Sequence, residues 1–438
     1  MCKSKNRLSN GVTEPSSTMA KQRRSTSQKT VKSQKSSTST DPLSSFSNYN
    51  SIQSTGSSYY NRDSWATASN SGSRADRSPL SRLRDNLPEQ PHIYDISEIS
   101  AATHNFSMKP FSSSSTSTSW RCTVRGQEVM LIQRKFRRRL IDVAELGERL
   151  ALICRSHHSS LVKLKGASIT KNNYIYLVYE FIHGGNLAEC LRNPRNPSFT
   201  VLSDWMSRVK IAHDIAHGLD YIHHSTGLGR NFVHNHIKSS SIIITDGLNP
   251  KICHFGTADL CGEIKSGDSE EGLDSKSKGK TELKRPGSGE MKLEGTRGYM
   301  APEFKRMGLP SEKTDVYAFG VVILELLSGR EPMKYKFDEQ WGGYVRESLI
   351  ETAKEAVAEG GGGGVRRWVD KRMKDSYPVE VVERLVKLAL ECVSEDPGNR
   401  PDMGWVVVRI SQWYLESQTW VEKMGGLPTD FSVSLAPR

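Results

Sequence analysis

The chain is predicted to be an α+β protein carried behind a polar tail, and three observations predict it. The first 91 residues are dominated by Ser, Thr, Asn, Gln and basic side chains. They hold too few large apolar groups to offset the entropy of ordering, so they are expected to be disordered. Residues 174–182 form an apolar run of strand character, and two β-branched runs, 242–244 and 251–253, flank an Asp246-Gly247 and Asn249-Pro250 turn as in a hairpin. Residues 205–224 place Val209, Ile211, Ala212, Ile215, Ala216, Leu219 and Ile222 at helical period, which predicts a helix with one buried face.

A length of 438 residues allows two or three domains, or one large two-lobed domain with a tail. The apolar fraction of 36% is low for a fully packed chain. Seven scattered cysteines without a C-x-x-C pair argue for a reducing compartment and against a zinc or disulfide framework. The longest apolar stretch, 316–327, carries Glu325 and is too short to span a bilayer, and no apolar segment of a secretory signal follows Met1. A cytoplasmic protein is expected.

The formal charge is +12, and residues 1–40 supply most of it, with nine Lys or Arg against one acid, Glu14. The rest is near balance, so no nucleic-acid surface is implied. Cys2 beside Lys3, Lys5 and Arg7 is a candidate for S-acylation, the basic residues adding the second signal that stable anchoring needs at a plasma-membrane surface. Cysteine at position 2 excludes N-myristoylation. The plain alternative is a solvated, phosphorylatable tail.

From Ile93 onward the residues change character. Ile96, Ile99, Ser100 and Thr103 suggest a short helix that ends near Asn105-Phe106-Ser107, and a serine-rich stretch, 111–119, leads to Trp120. A turn at Arg125-Gly126 precedes a strand ending in Met130-Leu131-Ile132, and a basic run, 134–139, is read as a solvated approach to the next helix, 141–155. Residues 257–294 mix Lys, Glu, Asp, Gly and Ser, the composition of a mobile loop. A long apolar helix covers 315–330, the glycines of 360–364 suggest a flexible insertion, and 379–393 and 403–415 read as the last helices.

Several motifs lie along this framework in order. Ala102-Thr103-His104-Asn105-Phe106 is similar to A-T-x-N-F, and His157-His158-Ser159-Ser160-Leu161-Val162 to H-x-N-L-V. His234-Asn235-His236-Ile237-Lys238-Ser239-Ser240-Ser241 and His254-Phe255-Gly256 have the spacing of H-R-D-L-x-x-x-N and D-F-G, but every carboxylate is gone. Gly295-Thr296-Arg297-Gly298-Tyr299-Met300-Ala301-Pro302-Glu303 is close to G-T-x-G-Y-M-A-P-E. Over about residues 92–420 the chain thus resembles a plant receptor-like cytoplasmic kinase, and over 93–132 the kinase domains of LysM-type receptors.

The resemblance implies a two-lobed protein-kinase fold, α+β, with a β-rich N-lobe at 92–182, a helical C-lobe at 183–425, a long activation-loop insertion at 257–294 and a C-terminal tail at 426–438. It also implies roles for individual positions. The loop glycines that let backbone approach phosphates correspond to Ser112, Ser114 and Ser117, whose hydroxyls could still solvate an anion. The phosphate-holding lysine corresponds to Ile132, with Lys135 reachable only by a strand slip, and its glutamate partner to Arg149, with Glu148 adjacent and Glu145 a turn earlier. Glu180 to Ile182 form the hinge, whose backbone could hold an adenine edge. The proton-accepting Asp corresponds to His236, and the magnesium-holding Asn and Asp to Ser241 and His254, while Lys238 is retained.

Retained as well is the packing set: His234 and Phe255 in an apolar spine, Asp315 beneath the catalytic loop, and Glu303 with Arg400. The expected function is therefore a pseudokinase, a scaffold or allosteric partner of other kinases or receptor kinases. ATP would bind weakly or without metal, and magnesium is not expected. The alternative enzyme reading is an active Ser/Thr kinase with relocated catalytic groups. A third has His234, His236 and His254 bind a soft metal, against the plainer expectation that His234 packs inward. The histidine pairs 157/158 and 223/224 are expected to serve as helix ends.

Overall fold

The structure, a computed structural model, describes residues 91–137, 141–195, 202–228, 232–264, 295–339, 342–360 and 363–425. The tail expected to be disordered, Cys2, and the C-terminal tail lie outside the described residues. A six-stranded sheet forms the small lobe, in the order β1-β5-β6-β4-β3-β2. Its strands are β1 (His92–Ile93), β2 (Ser112–Ser113), β3 (Ser117–Val124), β4 (Gln127–Lys135), β5 (Leu164–Ile169) and β6 (Tyr174–Glu180). Helix α1 (Ile96–Ala102) begins on an Asp95 and Glu98 capping box, and α2 (Val143–Arg155) begins on the Asp142 side chain, which accepts from the Glu145 N–H.

Strand alternation divides the sheet into two faces. Trp120, Cys122, Val129, Leu131 and Val178 pack with Ile99 of α1 on the outer face. Ile132 and Leu177 face inward with Leu146, Leu150 and Ile153 of α2, in the core shared with the large lobe. Ile132 sits in register between Ser119 and Leu177, while Lys135 pairs with Tyr174 and is exposed. The strand has not slipped, and Lys135 does not replace the lysine.

The large lobe begins with β7 (Gly185–Asn186), α3 (Leu187–Arg192) and α4 (Trp205–Asp220), which continues into a π turn over Tyr221–Ser225. The expected hairpin is present as β8 (Ile242–Ile244) and β9 (Pro250–Ile252). After a short α5 (Thr257–Leu260) come α6 (Pro302–Met307) and α7 (Glu312–Ser328), buried at every residue from Thr314 to Ser328. A helix apolar on all sides is stable only inside a lobe, where α7 lies. Strands β10 (Met333–Asp338) and β11 (Gly343–Ser348) pair into a hairpin, followed by α8 (Leu349–Ala358), α9 (Gly363–Trp368), α10 (Val379–Cys392) and α11 (Met403–Gly425). Among the described residues no helix is long and apolar enough to cross a membrane.

Three expectations change. The stretch expected to be loop begins with α5 at 257–260, a turn follows at 261–264 with Glu263 buried, and residues 265–294 lie outside the described residues. The glycines at 363 and 364 are not flexible either, because α9 starts on them and packs so tightly on α8 that a Cβ on Gly364 would stand 2.2 Å from the Ala356 carbonyl oxygen. The β10–β11 hairpin has no counterpart among the elements that the sequence pattern predicts.

The retained Glu303 and Arg400 pair is bidentate, with both N–H···O distances 2.7 Å, and both residues are buried. Removing one partner of such a pair leaves a charge without compensation. Arg400→Met is expected to destabilise the fold by about 3–5 kcal/mol, measured by urea denaturation; a loss below about 1 kcal/mol would contradict the assignment.

Candidate active site

One carboxylate holds the catalytic loop from beneath. Asp315 of α7 accepts from the backbone N–H groups of His234 (2.7 Å) and Asn235 (2.8 Å), and His223 Nε2 lies 3.1 Å away. His223 is thus a buried partner of Asp315. The magnesium-loop segment is fixed from the side: the Cys253 N–H donates to the Ser241 carbonyl (2.9 Å), and the Tyr179 hydroxyl donates to the Phe255 carbonyl (2.7 Å). Phe255 packs on Phe232 with ring centroids 5.6 Å apart. On the other side Glu325 gathers the Ser239 hydroxyl (2.8 Å), the Tyr299 hydroxyl (2.6 Å) and Arg192 (2.8 Å), joining the loop to the segment at 295–301.

On this frame the chemical positions come together, with altered atoms. The His236 ring is 6.4 Å from His234 and 6.0 Å from His254, centroid to centroid. Burial pushes the His234 imidazole down to about 4, and burial followed by the neighbouring His236 pushes His254 well below the usual range, so both are neutral. The Ser241 Oγ and His254 Nδ1 are buried without a hydrogen-bond partner. Magnesium takes hard oxygen ligands in octahedral array, and a neutral imidazole with one hydroxyl does not fit it. Nor do the three histidines suit a soft metal: among the described residues no three His, Cys, Asp or Glu side chains are grouped to hold an ion.

The phosphate-covering loop is closed on itself. The Ser114 Oγ accepts from the Ser117 N–H (3.1 Å) and the Thr116 N–H (3.4 Å), and the Ser114 N–H donates to the Ser117 carbonyl (2.8 Å). The Ser114 hydroxyl is therefore spent on its own turn rather than turned to an anion. Ser112 lies in β2, its carbonyl 3.4 Å from the Ser119 Oγ. At the hinge, Glu180 is committed to Lys163, the residue before β5: its N–H donates to the Lys163 carbonyl (3.0 Å) and its carboxylate accepts from the Lys163 N–H (2.9 Å). Among the described residues the backbone of Ile182 has no protein partner, which leaves it for a ligand.

The lysine and glutamate positions are reorganised together. Ile132 is core, and Arg149 turns to Glu145 (2.8 Å) and across to the Asp259 carbonyl (3.2 Å) at the end of α5. Burial, only partly offset by Arg149, raises the Asp259 carboxyl.

The structure adds two residues that sequence reading missed. Arg134 belongs to the run expected to be solvated, yet it is buried and lies on β4 two residues beyond Ile132, hence on the same face. Its guanidinium donates to Glu263 Oε1 at 2.8 Å. The other oxygen of Glu263 accepts from the Asn235 amide (2.9 Å) and stands 3.1 Å from His236 Nε2, an ion-pair distance outside hydrogen-bond alignment. Strand alternation could have pointed to Arg134; nothing in the polar stretch marked Glu263. Lys238, the retained cation, donates to the Thr296 hydroxyl (3.2 Å), and burial, then Arg134, lower its pKa.

A small β-rich lobe over a helical lobe, with a catalytic loop, a magnesium-loop turn and an Ala-Pro-Glu segment around one cleft, is the arrangement of a protein-kinase domain. Residues 131–409 match the family model described as protein kinase domain, and the chain belongs to that family. It is 32% identical over 78% of its length to LysM domain receptor-like kinase 3 of Arabidopsis thaliana, of which it covers 50%. It is 31% identical over 81% of its length to chitin elicitor receptor kinase 1 of Physcomitrium patens, of which it covers 51%. The chain spans about half the length of these curated relatives. Among solved structures, the pseudokinase domain of BIR2, an immune regulator of the RLK/Pelle family, matches with a TM-score of 0.55 at 24% identity, over 80% of this chain and 97% of that one. At that identity the likeness concerns the fold alone.

The cluster around Glu263 has a pH signature. Burial alone would raise this carboxyl, but His236, Arg134 and Asn235 outweigh it and hold it well below the usual range. An unfolded glutamate titrates near about 4.3, so the stabilisation is complete above about pH 5 and is lost as the pH falls below it. The stability difference between the wild type and Glu263→Gln, read from denaturation curves, should shrink from pH 7 to pH 3. A difference constant with pH would contradict the pairing.

Proposed function

We propose that this protein is a catalytically impaired kinase, a pseudokinase that acts as a scaffold or allosteric partner in receptor-kinase signalling. The observation that carries the reading is the donor set at the centre of the cleft. Phosphoryl transfer in this family relies on an Asp to receive the hydroxyl proton and on an Asp and an Asn to hold magnesium. Those positions are His236, His254 and Ser241, each with a buried polar atom that has no hydrogen-bond partner. The relatives, receptor-like kinases by name, support other kinases as partners. The basic tail and Cys2 support a place at the plasma-membrane surface. Nucleotide, if held, would be held through the Ile182 backbone, with little help from a metal.

A second reading is favoured by one observation, the presence of Arg134 and Glu263 in the cleft. An enzyme with relocated groups would use these as its cation and its acid. The two readings part in a phosphotransfer assay with magnesium or manganese. The expected result is no turnover, and the same result for Lys238→Met. Turnover that disappears on that substitution would sink the scaffold reading. In a thermal-shift titration with ATP, the shift with magnesium should equal the shift in EDTA, and a large magnesium-dependent increase would contradict the loss of metal ligands.

A further inference from the structure

Glu263 is a carboxylate where an isolated charge would be expensive. It is 8% exposed and is met by donors from two separate parts of the fold. Arg134 comes from strand β4 of the small lobe, and Asn235 and His236 from the catalytic loop of the large lobe. Beside it opens a cavity lined by Arg134, Asn235, His236, Lys238, Thr296 and Tyr299, among others. Lys238 reaches the Thr296 hydroxyl, and among the described residues it meets no carboxylate. The lining thus carries two fixed cations, Arg134 and Lys238, and one carboxylate, Asp315, whose oxygens are taken by the His234 and Asn235 N–H groups; Glu263 is paired to Arg134 beside it.

We propose that the cleft between the catalytic loop and the activation segment is an anion site whose present ligand is the chain's own Glu263, and that a phosphate group free of divalent metal competes with that carboxylate for Arg134 and His236 and gains Lys238, which Glu263 does not engage. A guanidinium forms its strongest charge-assisted bonds with carboxylate and phosphate oxygens, and the two are interchangeable partners for it. The absent metal ligands act in the same direction, because a phosphate that brings no cation keeps its full charge for Arg134 and Lys238. Displacing Glu263 would break its ion pair with Arg134 and free residues 257–264 from the catalytic loop. The site would then report ligand binding through the activation segment. This inference goes beyond the pseudokinase reading and requires neither activity nor its loss.

The test is titration of purified full-length protein in EDTA with pyrophosphate, and separately with ATP, followed by calorimetry. Glu263→Gln should bind both ligands at least about tenfold more tightly than the wild type, because one charged competitor is gone. The gain should vanish in Glu263→Gln with Arg134→Met, a pair chosen so that neither charge of the ion pair stays buried without the other. Equal affinity in the wild type and Glu263→Gln would overturn the proposal, as would a gain that survives Arg134→Met. A gain for ATP alone would overturn it too, by placing the effect on the adenosine. Should the single variant fail to fold, the wild type decides: millimolar pyrophosphate must bind and speed hydrogen exchange at the amides of 260–264, and absence of either effect overturns the proposal.

Discussion

Asp315 is the constraint on which the rest of the cleft depends. Its carboxylate is buried in α7, and it takes two backbone N–H groups of the catalytic loop and the ring of His223. Charge-assisted bonds of this kind contribute roughly 1.5–3 kcal/mol each in a buried setting. They act on backbone, so they fix where side chains 234 to 241 point whatever those side chains are. Glu325 holds the loop from the other side through the side-chain hydroxyls of Ser239 and Tyr299. Two carboxylates of one buried helix thus hold the loop's shape, and neither takes part in the chemistry of the centre.

That division separates the shape of the centre from the side chains it presents. Acidic groups that face a bound magnesium ion are compensated by it; without the ion they would be like charges packed together in a buried cleft. Neutral His254 and Ser241 remove that repulsion. The same logic applies in the small lobe, where Ile132 is core and Arg149 lies beside Glu145. One buried charge could not be lost alone, and Arg149 finds Glu145 and the carbonyl of Asp259 instead. One acid, Glu263, has entered the centre, and Arg134 has entered with it.

What could be read from the sequence follows from how each part is specified. The β8–β9 hairpin and helices α4 and α7 are set by local pattern and were legible. The pairing of Glu303 with Arg400 and the place of Asp315 beneath the loop were legible because the motifs around them keep their spacing. Arg134 was hidden by its basic neighbours, although it lies two residues from Ile132 and strand period puts both on one face. Glu263 was hidden more deeply, since a polar stretch gives no sign which of its acids turns inward; its burial depends on Arg134, 129 residues earlier. Gly364 misled for a similar reason, because glycine serves both flexible chain and close helix approach, and only the Ala356 carbonyl decides between them.

The backbone of the magnesium-loop turn shows how its shape persists. His254 has φ of 70° and Gly256 of 80°, and a Cβ at Gly256 would stand 2.7 Å from Ile153 of α2. A histidine in the left-handed region costs on the order of 1 kcal/mol. The burial of Phe255 offsets that cost, since a fully buried phenylalanine contributes about 1.5–3 kcal/mol. The turn is held through Phe255 against Phe232 and the Tyr179 hydroxyl on its carbonyl. A loop whose strained shape is held by packing and by hydrogen bonds to its backbone keeps that shape whichever side chain stands at position 254.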